Sequence, residues 1–395
     1  MTGRAVRANS IIVHPQHHGA PILRIPCEIT SGIFEFCLPK DEFPRPSIQS
    51  APMQLSHVCS SWQKLAIQTP RLWSKVSLCM STEDGGQTKV SIKAAMASHV
   101  KALKVWMRRA TPLPMSVHLR YPSLPWLEPD KLPPVFRVIM ENPTTWRDVR
   151  LSLPRDYLNS ASIVVQKNVR NLERFDVEDT SIIPMFSRAN CPVFLIAETA
   201  AILLTLSVHG SLQLKSPNAT QFVRLRTLSL KHSSINNSIH LLENCPVLEG
   251  LNLHFYNLPM INTTPEDTTI LLPRLRNFHL AHTGNDENKI LFRGGEVGVL
   301  LAHLKLPNLS LFHLHMTIMG WQNDPRWDYL SMLIFRSNCS LIDLELRTPH
   351  IEKSTIVECL KDSPDLQYVG IPSDVKLEEE EARRLLPNLR TLRRL

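Results

Sequence analysis

The chain has 395 residues, 43% of them apolar, with a formal net charge of +8 and 8 cysteines. This is room for one large or two modest domains, and no apolar run is long enough to span a membrane. The cysteines form no CxxC pair, which argues against a zinc site, a redox motif or a disulfide framework, and the Lys and Arg residues form no run with interleaved aromatics, which argues against nucleic-acid binding.

Residues 1–20 read as a disordered tail. No acidic residue precedes Glu28, but no secretory apolar core is present, and "HPQHHG" interrupts any presequence helix. The histidines of that stretch have no second ligand cluster, so no metal is expected. With cysteines free and no leader, the expected compartment is reducing: cytoplasm and/or nucleus.

"RIPCEITSGIFEFCLP" gives a short amphipathic helix with Ile29, Ile33, Phe34, Cys37 and Leu38 on one side and Pro26 in its first turn. In "LSHVCSSWQKLAIQTPRLW", Leu55, Val58, Cys59, Trp62, Leu65 and Ala66 recur at helical spacing and predict one helix. Pro70 ends it, and Trp73, just past the end, is placed to fold back on it. Two short helices with this much apolar surface cannot close a core alone, so part of it should meet another chain or the next domain.

The two stretches together, residues 22 to 78, resemble the F-box-like segment of the large fungal (basidiomycete-type) family of F-box proteins. The shared features are Pro-x-Glu-Ile, Ile-Phe, and a Leu-Ser-x-Val-Cys-x-x-Trp run closing on Thr-Pro-x-Leu-Trp. The chain departs from the pattern at Ile25, where leucine is usual, and at Ser61 and Gln63, where arginine usually flanks the tryptophan. The resemblance implies docking of residues 21–78 on the Skp-type adaptor of a cullin-RING ubiquitin ligase. On that reading Ile25, Pro26, Ile29, Ile33, Phe34, Leu55, Val58 and Trp62 supply the adaptor surface.

Residues 79–141 read as linker and cap. "STEDGGQT" is a solvated linker, and a helix follows with Ile92, Met96, Val100, Leu103 and Met107 on one stripe. "PLPMSVHLR" then alternates as a strand.

From residue 142 to the end one pattern recurs: an apolar residue with others at +3 and +5. Copies start at Trp146, Leu172, Leu203, Leu225, Leu248, Leu275, Leu309, Leu341 and Leu366, at spacings between 22 and 34 residues. A last copy at Leu389 has Arg394 at +5 and frays. This is the L-x-x-L-x-L core of a leucine-rich repeat. The expected fold is therefore α/β: a short helical N-terminal domain, then an irregular solenoid with a curved parallel sheet and helices outside. Cys191, Cys245 and Cys339 each follow an Asn just before a repeat strand, where a small buried apolar residue fits. In "KLEEEEARRLL", Glu379 and Glu380 precede Arg383 and Arg384 by four residues, the pattern of a self-paired helix face.

No catalytic signature is present (no HExxH, GxSxG, Walker A or GxGxxG), and "RGGEVG" at 293–298 reads as a turn. The chain is expected to be no enzyme and to need no cofactor. What remains is surface. Positions +2, +4 and +6 of each repeat strand point away from the core and place His254, His279, His313, His315 and Glu345 in a polar ribbon that a protein target can use. A second candidate is "MTIMGWQNDPRWDYL", with Trp321 and Trp327 as anchors. These features combine into a target-recruiting subunit, monomeric within a larger complex. The alternative is a ligase-independent repeat scaffold whose N-terminal helices only cap the solenoid.

Overall fold

The computed structural model describes residues 24–40, 42–80, 89–121, 133–142, 145–154, 157–158, 171–181, 193–195, 202–210, 213–215, 222–231, 235–256, 269–283, 295–316, 327–348 and 351–395. The histidines at 14–18, the 81–88 linker, Cys191 and Trp321 lie outside them.

A single 12-stranded sheet runs the length of the chain, its strands parallel and almost in sequence order. It begins with β1 (Lys75–Cys79), β2 (Met115–Arg120), β3 (Trp146–Leu153) and β4 (Arg174–Asp179). It continues, past the separate short strand β5 (Val193–Leu195), with β6 (Thr205–His209). After β7 (Gln213–Lys215), which pairs only with β5, come β8 (Thr227–Lys231) and β9 (Gly250–Tyr256). Two further short strands, β10 (Ile270–Leu271) and β12 (Leu304–Lys305), form their own ladder on the return side of β11 (Asn277–Thr283) and β13 (Leu311–Met316). β14 (Asp343–Arg347), β15 (Tyr368–Ile371) and β16 (Thr391–Arg394) complete the main sheet. The molecule is thus a mixed α/β solenoid of the leucine-rich-repeat type.

The register explains the repeat. Leu206, Leu228, Leu251, Phe278, Phe312 and Leu344 are paired neighbour to neighbour across β6, β8, β9, β11, β13 and β14. All are buried, as are their +5 partners Val208, Leu230, Leu253, Leu280, Leu314 and Leu346. Two fully buried side chains per turn contribute about 1.5–3 kcal/mol each, but only when the next turn covers them, so a single turn is not stable alone. Phe278 and Phe312 stack within this row, ring centroids 5.2 Å apart.

Five strands (β9, β11, β13, β15 and β16) are entered by a turn that the repeat pattern alone does not show. The amide of the first leucine donates to the carbonyl three residues back: Leu248 to Cys245, Leu275 to Leu272, Leu309 to Leu306, Leu366 to Ser363 and Leu389 to Leu386. The residue after each acceptor is a proline (Pro246, Pro273, Pro307, Pro364, Pro387). Proline's fixed φ suits the second position of such a turn, and its missing N–H costs nothing there. Cys245 and Cys339 are buried as expected, and burial pushes their thiols up to about 12 and about 11. Asn338 before Cys339 is left-handed, φ 47°, and terminates the helix Asp328–Ser337.

The return segments carry helices at Ile235–Leu242, Gly295–His303, Asp328–Ser337, Lys353–Lys361 and Glu379–Leu385. The last has the expected i,i+4 pair, Arg383 to Glu379 at 2.6 Å. Residues 295–298 of "RGGEVG", expected as a turn, open the helix Gly295–His303. Gly298 is used there for close packing, since a Cβ on it would lie 2.3 Å from the Tyr329 ring of the next helix.

At its two ends the stack is closed differently. β1 precedes the expected start of the solenoid, yet it pairs in register with β2 and belongs to the sheet. On its outer side Ser77 donates its amide to Pro44. At the other end β16 is an edge strand carrying Arg393 and Arg394, which discourages further pairing. Arg394 is not an empty +5 position: its guanidinium donates to the carbonyls of Val375 and Leu377 and replaces the missing apolar contact.

The N-terminal helices differ from their sequence pattern. Residues 55–66 do not form one helix. A 3-10 turn at Leu55–His57 is separated from α2 (Ser60–Ile67) by Cys59, which is extended at φ −159° and ψ 169°. The break lets Leu55 and Ala66 both reach the core while Val58 and Cys59 face outward. In α1 (Cys27–Phe36), Pro26 stands one residue before the first turn. The inward stripe is Thr30, Phe34 and Leu38, and Phe34 packs on Trp62 at 4.9 Å between centroids.

Trp73 folds back as expected. Its indole N–H donates to Ala66 O at 2.7 Å, a carbonyl at the end of α2 that also accepts the Thr69 amide at 3.3 Å. The same device recurs one turn later, where Trp146 Nε1 donates to Ile139 O at 2.9 Å, at the end of the helix Pro134–Glu141. Trp73 also meets Trp106 of the helix Lys89–Ala110 edge-on at 4.8 Å, with the Arg109 guanidinium 4.2 Å over its ring. Met96, Leu103, Trp106 and Ala110 bury that helix. None of the described helices is long and apolar enough to cross a membrane.

Candidate functional site

Two surfaces remain after the core is assigned. The first is the outer side of the N-terminal helices. Ile29 is 58% exposed, Ile33 43% and Phe36 86%, at i, i+4 and i+7 on α1, and Val58 is 57% exposed beside α2. This is a ridge of large apolar side chains with no cover among the described residues. Pro26 is exposed, and Ile25 and Trp62 are half-buried. Phe34 and Leu55, expected to share the adaptor surface, are instead part of the molecule's own core at 1% and 8% exposure. Phe36, missed by the sequence reading, is the most exposed of the group. Its seven-residue spacing from Ile29 was the available signal.

The second surface is the open face of the sheet, where the strand register aligns three rows. The +4 row runs Ser77, His118, Arg150, Asp176, Ser207, Ser229, Asn252, His279, His313 and Glu345. The +6 row beside it runs Cys79, Arg120, Ser152, Glu178, His209, Lys231, His254, Ala281, His315 and Arg347. The sequence reading named only His254, His279, His313, His315 and Glu345 in these rows. The copies at Trp146, Leu172 and Leu203 extend them by the same register and add the whole charged first third.

That first third is self-paired. Arg150 meets Asp148 at 3.1 Å, and Glu178 accepts from Ser152 Oγ at 2.7 Å with Arg120 at 3.6 Å. Burial raises the Asp176 carboxyl above its usual range against the pull of His209 and Arg150. The last third is also paired: Arg347 to Glu345 at 2.7 Å, and His313 Nε2 3.2 Å from Asp343 Oδ1. The His313 contact is an ion-pair approach rather than a hydrogen bond, because the N–H does not point along the line to the oxygen. The His279 and His313 rings meet edge-on at 4.9 Å.

The middle is different. Its floor is small (Thr205, Ser207, Thr227, Ser229, Gly250, Asn252), and Lys231 makes no ion pair among the described residues. His209 Nε2 lies 3.3 Å from Ser229 Oγ. His254 is held below the usual histidine range by burial first, then by Lys231, His315 and His209. His279 is lowered by burial and His313, with Asp343 and Glu345 opposing. His254, His279, His313, His315 and Glu345 are therefore brought together on one face, as their spacing required.

Trp327 is not a free anchor. It is half-buried and packed on the core, beside Tyr329, whose ring covers Gly298. Among the described residues no group of three or more His, Cys, Asp or Glu side chains is arranged to hold a metal ion.

No family model matches the chain, and no curated protein matches it. Among solved structures it is similar to the crystal structure of a TLR13–ssRNA13 complex, at 13% identity and a TM-score of 0.37, over 74% of this chain and 43% of that one. The chain spans less than half the length of that protein's chain.

Proposed function

We propose that the protein is a non-catalytic, target-recruiting subunit of a Skp–cullin–F-box ubiquitin ligase. α1 and the segment around Val58 dock on a Skp-type adaptor, and the open face of the sheet holds a protein target. Catalysis then comes from proximity, because tethering raises the effective concentration of target lysines near the conjugating enzyme. The observation that carries this reading is the bare apolar ridge of Ile29, Ile33 and Phe36, in the segment whose motif resembles an F-box. A water-facing ridge of this kind is stable in isolation only at a cost in solubility, and a partner's groove removes that cost.

The test is capture of the full chain by purified Skp-type adaptor. Ile33→Asp with Phe36→Asp should reduce capture by several hundredfold or more, since losing anchor residues costs about 2 kcal/mol or more each. Circular dichroism and melting should stay unchanged, because both side chains are outside the core. Wild-type capture by the double variant refutes the docking assignment.

A second reading has its own support. Trp73, Trp106 and the pairing of β1 with β2 build the N-terminal helices into the stack as a cap. A ligase-independent scaffold needs no more than that. It predicts no adaptor capture by the unmodified chain.

A further inference from the structure

We propose that the middle of the open face takes an extended acidic peptide segment laid across β6 to β13. Its carboxylates sit on His209, Lys231, His254 and His315, and it is held more tightly as pH falls from neutral towards about 5.5. This deepens the target half of the proposed function and rests on it only for the identity of the bound molecule as a target.

Three observations converge on it. The first is shape. Ser207, Ser229 and Gly250 keep the floor low, and the nearest atom to a Cβ built on Gly250 is 3.8 Å away, so a peptide backbone can come close to the sheet. From β6 to β13 there are four strand spacings of ~4.8 Å, roughly 19 Å, which is the span of about six extended residues.

The second is charge. On either side of this window the ionic groups are already satisfied: Glu178 by Ser152 and Arg120, and Arg347 by Glu345. Inside the window Lys231 has no counter-ion among the described residues, and it is flanked in its own row by His209 and His254. The arginines at both ends (Arg120, Arg150 and Arg347) are already committed to Glu178, Asp148 and Glu345, so they leave no free cation to neutralise a continuous phosphodiester chain. A short acidic peptide stops before reaching them.

The third is titration. The groups facing His254 are Lys231 on β8, His209 on β6, His279 and His282 on β11, and His315 on β13. Burial first, then Lys231, His315 and His209, favour its neutral form, and Asp343 and Glu345 stand on β14, farther along the sheet. A carboxylate laid over this row reverses the balance, so binding takes up a proton. A site that gains a proton on binding tightens as pH falls through the histidine range. The gain ends where the peptide's own carboxylates protonate, near about pH 4.

The experiment is fluorescence polarisation of a labelled peptide of alternating Glu and Ser, titrated with the full chain at low salt. Affinity should rise about tenfold between about pH 7.5 and about pH 5.5, the effect of roughly half a proton taken up on binding, averaged over that range. Lys231→Glu should weaken binding at both pH values by tenfold or more. His254→Gln should abolish most of the pH dependence, so that affinity no longer rises between the two pH values. Both side chains lie on the open face, and unchanged melting of His254→Gln keeps the test valid if Lys231→Glu perturbs the fold. Absence of saturable binding at the lower pH overturns the proposal. So does wild-type behaviour of both variants, or preferential binding of a Lys–Ser peptide or of oligouridylate. Peptide binding without adaptor capture leaves this inference standing and removes the ligase reading. Adaptor capture without peptide binding does the reverse.

Discussion

Trp73→Phe asks whether the N-terminal helices are structurally part of the stack. The side chain is fully buried, its indole closes the end of α2 on Ala66 O at 2.7 Å, and its ring meets Trp106. Phenylalanine keeps an aromatic ring there but removes the donor and part of the volume. Ala66 O keeps the Thr69 amide as a partner, so the lost bond costs about 0.5–1.5 kcal/mol, and the residual gap adds about 1 kcal/mol. A loss of about 1.5–2.5 kcal/mol follows. In a solenoid each turn touches only its neighbours, so the loss should stay local. Hydrogen exchange of the β1 amides, Lys75–Cys79, should accelerate by roughly ten- to sixtyfold at about 1.4 kcal/mol per factor of ten. β14 and β15, at the far end, should be unaffected. The reasoning is refuted if β1 protection is unchanged, or if protection falls equally through all strands. Trp146→Phe, which loses the matching bond to Ile139, should loosen β3 in the same local way.

Gly298→Ala should lower the melting temperature although alanine is favoured over glycine in a helix by about 1 kcal/mol. The new Cβ would overlap the Tyr329 ring, an overpacking cost of about 1–3 kcal/mol, and Tyr329→Ala in the same chain should recover part of the loss. His282, fully buried between Phe255 and Met316 in register, is held down to about 4 by burial, with His254 adding to the effect. Its folded pKa is below its unfolded one, so the unfolded chain binds the extra proton. Stability is then whole above about pH 6.5 and declines by about 3 kcal/mol as pH falls towards about 4. His282→Leu should flatten that slope in urea titrations; a slope equal to wild type assigns the acid sensitivity elsewhere.

The sheet was legible because its signal is repeated. A leucine or phenylalanine at +3 is weak alone, but Leu228, Leu251, Phe278, Phe312 and Leu344 can be buried together only on adjacent parallel strands. Once that register is known, the outward rows follow without further information, which is why His279, His313 and Glu345 were placed correctly. The row could have been read further upstream, to Arg150 and Asp176, from copies already identified. The prolines before Leu248, Leu275 and Leu309 were a turn signal left unused. The N-terminal helices were harder for a physical reason. A short segment has too few periods to fix its rotation, so Phe34 and Ile33, adjacent in sequence, were assigned one side although only Phe34 finds a partner, the Trp62 ring. In the same way, the helical spacing from Leu55 to Ala66 is also satisfied by two short helical pieces joined at an extended Cys59.

That correction bears on how α1 can serve both readings of its role. Phe34 and Leu55 close the end of the solenoid, and an adaptor that required them would have to dismantle the cap. Taking the phenylalanine out of its packing alone would cost about 3–5 kcal/mol, which cancels a factor of several hundred or more in affinity. An adaptor that takes Ile29, Ile33 and Phe36 dismantles nothing, because those side chains already face water. Capping and docking then draw on different sides of one 10-residue helix. The two roles separate experimentally on that basis. Phe34→Ala should loosen β1 and weaken adaptor capture together, whereas Phe36→Asp should weaken capture and leave β1 protected. If Phe36→Asp also loosens β1, the ridge is part of the cap and the adaptor surface lies elsewhere.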